Sequence, residues 1–312
     1  MVMMNDLLQE RRSCGVAHPQ RSDASHATQA VPTNAILYLS HFNHRKLWCA
    51  YQNLQGACAG FGDAYFVLNQ SSDRAPACAT GEPADKAYVF AVTPALRTAL
   101  GHSARKVSKG GDQAILAFRQ LNPHYDYYWI VEYDVQFSGN WRALFDAFAE
   151  NTSDLLCTSL HRIDTNPTWR WWRSLNWPAD PKPELIRGFF PFARVSARAL
   201  DAIIAATQAG ISGHYELTWP TVLHHSGMAI EDIGGDGQFV HPCNRNRWYT
   251  STPKNENLSP GTVVYRPTRL SPGRRPDTLW HPVKHNLVGY VRGTGPYARM
   301  VKPVKWVLSC LK

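Results

Sequence analysis

The chain has 312 residues, 44% of them apolar and 18% charged, with a formal net charge of +9. That apolar content supports a buried core and excludes disordered, collagen-like and mini-protein architectures. Its apolar runs fall far short of the ~20 residues that a membrane-spanning helix needs.

The first 33 residues are polar and rich in Ser, Arg, His, Ala and Gln. They lack the apolar stretch of ~7–15 residues that a signal peptide requires, so they read as a disordered leader on a cytoplasmic protein. From Asn34 the pattern changes. Short apolar runs at 35–40, 65–68 and 87–92 are bounded by polar, Gly and Pro residues and predict buried parallel strands. One short helix fits in 45–60. A helix is expected over 112–120 with Asp112 as its N-cap. Residues 127–134 form the strongest strand signal, followed by a turn at 137–139 and an amphipathic helix over 140–148 capped by Asn140. Further strands are expected at 154–159, 188–192 and 229–233, with Ser196 capping a helix that runs to about residue 208.

Strands alternating with helices predict an α/β fold with a mostly parallel central sheet flanked by helices. One domain over 34–290 accounts for it. After 233 the chain is rich in Gly, Pro, Asn and Arg, which predicts a loop-rich C-terminal segment. Residues 291–312 form a basic tail in which Lys302, Lys305 and Lys312 alternate with apolar positions, as in a helix lying on a membrane surface. Residues 241–312 hold 13 Lys/Arg against 2 Asp/Glu, and the rest of the chain 20 against 22. A basic C-terminal quarter on a near-neutral body points to an anionic partner: nucleotide phosphates, lipid headgroups or nucleic acid. The seven cysteines contain no CxxC pair, which argues against a zinc ribbon and predicts reduced thiols.

Five clusters carry the candidate chemistry. Glu132-Tyr133-Asp134 closes the strongest strand, and ligands of open α/β sheets bind beyond the carboxyl ends of strands. Two carboxylates ending a buried apolar strand need a cation or a basic partner, and a divalent ion on a diphosphate meets that need. Trp169, Trp171, Trp172 and Trp177, with Arg170 and Arg173 between them, offer flat rings for sugar faces and guanidinium groups for hydroxyls or phosphates. Trp171, Trp172 and Arg173 are the substrate-binding candidates, although the same mix suits single-stranded nucleic acid. Gly110-Gly111-Asp112 opens a helix whose backbone N–H groups can receive an anion, with Lys106 and Lys109 nearby. It is neither a dinucleotide nor a P-loop fingerprint. His281 in Trp280-His-Pro-Val-Lys284 sits in a Pro-containing turn, and Lys284 is a point charge suited to a phosphate. Glu216 in Gly213-His-Tyr-Glu216 is either a general base or a first-turn carboxylate favoured by the helix dipole.

A strand ending in Glu-Tyr-Asp, then a Gly turn and a helix, resembles the DXD-type motif of GT-A nucleotide-sugar glycosyltransferases. The order of Gly-Phe-Phe at 188–190, an acid at 216 and a late His extends the resemblance over about 34–290. The resemblance implies that Asp134 and His281 bind Mn²⁺ or Mg²⁺, with His241 as the competing ligand. Glu132 then lies beside the ribose or a metal-bound water. Glu216, or alternatively Asp232, would deprotonate an acceptor hydroxyl and give inversion, while Asp112 and Lys284 would contact the nucleotide-sugar donor. The acceptor would be a glycan or a lipid-linked hydroxyl, with peripheral membrane contact through the tail. Two rival classes are a nucleic-acid-binding protein, which leaves the strand-end carboxylates unexplained, and a metal-dependent phosphoesterase or hydrolase, which usually carries a denser ligand set.

Overall fold

The computed structural model describes residues 32–41, 45–70, 89–99, 111–251, 261–265 and 267–285. The leader and the basic tail assigned from sequence lie outside the described residues, apart from the leader's last two positions.

Strand β1 (Asn34–Ser40) is buried along its whole length, and helix α1 (Arg45–Ala57) returns the chain to β2 (Asp63–Asn69). Strand β3 (Val89–Val92) leads into the short helix α2 (Pro94–Ala99), then α3 (Asp112–Leu121) and β4 (Tyr127–Glu132). Alternate residues of β1 feed two cores. Ala35, Leu37 and Leu39 join α3 on one face, while Ile36 and Tyr38 join α1 on the other. A strand covered on both sides must be apolar at every position, which is why it reads as a continuous run.

Beyond β4 come β5 (Gln136–Phe137), α4 (Trp141–Asp146) and β6 (Leu155–Arg162). Then follow β7 (Ile186–Ser196), α5 (Ala197–Gln208), α6 (Tyr215–His225), β8 (Ile230–Asp232) and β9 (Leu279–Trp280). The expected caps of α4 and α5 are present: Asn140 accepts from the Arg142 N–H and Ser196 from the Ala199 N–H. The main sheet has the order β3-β2-β1-β4-β7-β6-β8, and β5 pairs with β9 in a separate ribbon. Only β7 opposes its neighbours; the other six strands run one way. From β1 the chain builds outward through β2 and β3, then returns to add β4 on the other side. The β1/β4 boundary is therefore the topological switch point, where an open sheet leaves a crevice at its carboxyl edge. The start of α3 closes on that edge, so a Cβ on Gly111 would lie 2.8 Å from Leu39 Cδ1.

Asp154 fastens the second half of the sheet. Its carboxylate accepts from Ser196 Oγ (2.8 Å), the Arg198 guanidinium (2.6 and 2.7 Å) and the Ala229 N–H (3.1 Å). These bonds join the starts of β6, α5 and β8. Burial acts to raise this carboxyl, yet the donors hold it below its ordinary value. Its stabilisation is thus present above an unfolded value of about 4 and is lost as pH falls through the lower folded value. Asp154→Ala is expected to cost about 2–3 kcal/mol in urea unfolding at neutral pH, because several hydrogen bonds to one buried carboxylate are lost and the buried Ser196 hydroxyl loses its acceptor. That cost should shrink in acid.

Candidate functional site

Strand β4 ends at Glu132, and the Val135 N–H closes a turn by donating to the Glu132 carbonyl at 2.9 Å. Asp134 therefore sits in a turn rather than in a strand continued to 134, as the sequence reading assumed. The turn arises because the next residues leave the sheet to pair with β9: Gln136 with Trp280 and Phe137 with Leu279. That ribbon delivers the C-terminal segment to the turn. The His281 N–H donates to the Thr262 carbonyl (2.9 Å) and the Val283 N–H to the Asp134 carbonyl (2.7 Å). Backbone pairing thus sets His281 and Lys284 against Asp134.

His281 Nε2 lies 3.6 Å from Glu132 Oε2 and 3.5 Å from Asp134 Oδ1. Lys284 Nζ donates to the other Asp134 oxygen, Oδ2, and to Tyr133 Oη at 3.0 Å. His285 Nε2 donates to the Tyr133 carbonyl at 2.6 Å, and the Phe189 ring meets the His281 ring edge-on at 5.2 Å. Asp134 is 3% exposed and His281 5%. Burial opposes the charge on each, but their attraction prevails. His281 is raised to about 9 by Asp134 and Glu132, and Asp134 is held well below the usual carboxylate range by His281 and Lys284.

Two details fit these residues to a divalent cation. Asp134 Oδ1 is buried and accepts no hydrogen bond. His281 Nδ1 lies 2.8 Å from the Val264 carbonyl, which can only accept, so Nδ1 carries a hydrogen and Nε2 is turned toward the carboxylates. A backbone carbonyl orienting a histidine in this way is the usual support behind a metal ligand. Ligand atoms of Glu132, Asp134 and His281 all lie within 4.8 Å of one another, and they are the one such group among the described residues.

Glu216 lies in the first turn of α6. Gly213 makes its position possible: at φ +151° its Cβ would fall 2.8 Å from the Ser174 carbonyl oxygen, so only glycine lets the Trp loop touch the start of α6. Glu216 is 14% exposed, with Oε2 3.6 Å from His214 Nδ1. Burial pushes its carboxyl up to about 8; Arg187 opposes the shift, Glu132 adds to it, and His281 opposes it. Those couplings put Glu216 within electrostatic range of Glu132 and His281. Tyr215 is likewise raised, by burial and then by Glu132, Glu216 and Asp112, so four acidic or phenolic groups share one region. Arg187, buried on β7, lies over the Trp169 ring at 5.2 Å. The sequence reading missed it, although an arginine opening an apolar strand was the available signal.

Asp112 is not the helix cap that was expected. Gly111 takes that position, packed against the tip of Leu39, and Asp112 is the first residue of α3. Burial pushes the Asp112 carboxyl up to about 6 against its backbone N–H partners and Arg97, and its Oδ1 is buried without a hydrogen bond. Gly110, Lys106 and Lys109 lie outside the described residues. In the Trp loop, Trp171 is 37% exposed, with one face stacked on His214 (4.8 Å between ring centres) and Arg170 lying over its ring. Arg173 is exposed. Trp172 is buried and its indole N–H donates to the Asn166 carbonyl at 2.7 Å, so it packs the loop from within.

The two alternatives fall elsewhere. His241 is exposed, caps the short turn Pro242–Asn244 by accepting from the Cys243 N–H, and has no place in the cluster. Asp232 is buried among structural donors: the Leu160 N–H (2.9 Å), the Gly234 N–H (3.1 Å) and the Tyr249 hydroxyl (2.8 Å). Cys49, Cys58 and Cys157 are free thiols, but Cys243 is disulfide-bonded, contrary to the expectation of reduced cysteines throughout. Among the described residues, no helix is long and apolar enough to cross a membrane. In comparisons with known proteins, no family model matches this chain, and no curated protein is significantly similar to it.

Proposed function

We propose that the protein is a metal-dependent glycosyltransferase of GT-A type. It moves a sugar from a nucleotide-diphosphate donor to a hydroxyl of a glycan or lipid-linked acceptor. The observation that carries the reading is the Glu132/Asp134/His281 group at the carboxyl edge of the sheet's switch point, where a buried carboxylate oxygen that accepts no hydrogen bond is turned toward a histidine nitrogen. One nitrogen and two carboxylates suit Mn²⁺ and, less well, Mg²⁺. When bound, such an ion neutralises charge on a departing diphosphate.

The chain's own groups supply the rest. Asp134, Glu132 and His281 hold the cation site, and Lys284 is the nearest ammonium for a phosphate oxygen. Glu216 takes the proton of the acceptor hydroxyl as its oxygen bonds to the anomeric carbon. The bond from that carbon to the diphosphate breaks with its electron pair leaving on phosphate. A carboxyl pushed toward neutrality is well matched to such a proton transfer near pH 7. Trp171 is partly exposed, and a sugar would stack on its face once Arg170, which lies over the ring, moved aside.

Thermal melting with a panel of nucleoside diphosphates, each with Mn²⁺ and with EDTA, tests this reading. A ligand bound only by the folded state raises the midpoint by mass action. The expected result is a rise with one nucleotide that needs both nucleotide and metal. Well-folded protein that shifts with no combination would rule the donor site out.

A further inference from the structure

We infer that Lys284 is a resident stand-in for the metal ion, and that a diphosphate must draw it off Asp134 before the ion binds tightly. The inference rests on the metal-site reading above and concerns what occupies the site before substrate arrives.

The geometry is that of two cations competing for one carboxylate. Asp134 turns Oδ1 toward His281 Nε2 and Oδ2 toward Lys284 Nζ. A divalent ion held by Oδ1 would therefore share that carboxylate with an ammonium group. Water screens the two poorly, because Asp134 is almost fully buried and the Lys284 side chain is only 19% exposed. Like charges held that close in a poorly solvated site repel strongly. Without the ion, the same ammonium performs the ion's electrostatic task and keeps the paired carboxylates of Glu132 and Asp134 tolerable.

Lys284 also has the means to move without leaving. Its ammonium bonds to Tyr133 Oη at 3.0 Å and lies 5.0 Å from the centre of the Tyr133 ring, so the phenol holds it at the rim when it releases Asp134. Its backbone stays fixed, since the Lys284 N–H donates to the Arg269 carbonyl at 2.7 Å and the Val283 N–H to the Asp134 carbonyl. Only the side chain needs to swing. A diphosphate entering the crevice supplies a new anionic partner, so metal and diphosphate assist one another through this residue as well as through their direct contact. Coupling of this kind is reciprocal by thermodynamic necessity.

The test is a calorimetric Mn²⁺ titration in the absence of any phosphate, on wild type, Lys284→Met, Lys284→Arg and Asp134→Ala, each first checked for cooperative unfolding. Lys284→Met is expected to bind Mn²⁺ about tenfold or more tightly than wild type, whereas Lys284→Arg, which keeps the charge, stays weak. Adding inorganic pyrophosphate should then tighten Mn²⁺ binding to wild type by a larger factor than to Lys284→Met. Lys284→Met binding Mn²⁺ no better than wild type, with Asp134→Ala binding none, would overturn the stand-in role and leave the metal site intact. No Mn²⁺ binding by wild type or Lys284→Met, with or without pyrophosphate, would overturn both readings together.

Discussion

Asp134→Ala is expected to reduce Mn²⁺ affinity by about a hundredfold or more, beyond the 10–100-fold typical for losing a group that merely supports a ligand. The substitution removes the most buried anionic oxygens of the cluster, including the one that accepts no hydrogen bond. It also leaves His281 and Lys284 facing one another without the carboxylate that pairs them. His281 then loses its main reason to stay protonated, since Asp134 is the largest influence raising it against burial. Breaking a buried pair from one side can cost 3–5 kcal/mol, but Lys284 has Tyr133 and a partial route to water, so a smaller loss of about 1–2 kcal/mol is expected here. Asp134→Asn separates the two effects, keeping shape and one oxygen ligand while discarding the charge. Mn²⁺ titration with parallel thermal melting reads both quantities. Undiminished Mn²⁺ binding in a folded Asp134→Ala protein would place the metal elsewhere.

Glu216→Gln is expected to lower turnover by about 10²–10⁴-fold, the range for losing a positioned general base, while Mn²⁺ and nucleotide binding stay within about twofold of wild type, since Glu216 supplies no ligand atom to the Glu132/Asp134/His281 group. The pH profile adds a second readout. With its carboxyl pushed up to about 8 by burial, Glu216 is largely protonated at pH 6. The wild-type rate should therefore rise with pH, reach half its plateau near 8 and level off above it, and positive charge gained at the neighbouring cluster would move that midpoint lower. The variant should lose that limb. Stability moves the other way. A carboxyl whose folded value is raised binds its proton more tightly when folded, so its ionisation weakens the fold as pH rises from about 4 towards 8. The glutamine variant should then melt no lower than wild type at pH 8. An equal loss of turnover and of melting temperature would indicate a structural carboxylate instead of a base.

Much of this fold was legible because each local signal agreed with its surroundings. Strands β1 and β4 are buried on both faces, and two-sided burial leaves a nearly continuous apolar run that needs no tertiary knowledge to recognise. The caps Asn140 and Ser196 act within three residues of themselves and were readable for the same reason. The cap at the start of α3 lies one residue earlier than expected, at Gly111, which packs against Leu39, 72 positions earlier in the chain. Trp172 looked equivalent to Trp171 in sequence. Only the path of the loop turns one inward and leaves the other partly exposed.

The carboxylates Glu132 and Asp134 were visible from sequence alone, because charge at the end of an apolar strand demands a partner wherever the rest of the chain goes. Which partner meets that demand is a tertiary matter. His281 and Lys284 arrive from about 150 residues away through the pairing of β5 with β9, and two-residue strands leave almost no periodic trace. The antiparallel course of β7, the influence of Arg187 on Glu216 and the turn that takes Asp134 out of the strand were likewise decided by the assembled sheet. Composition and local pattern thus determined an α/β chain with an acidic strand end. Long-range backbone pairing, whose energy no short stretch of sequence contains, decided that this end faces a histidine and a lysine.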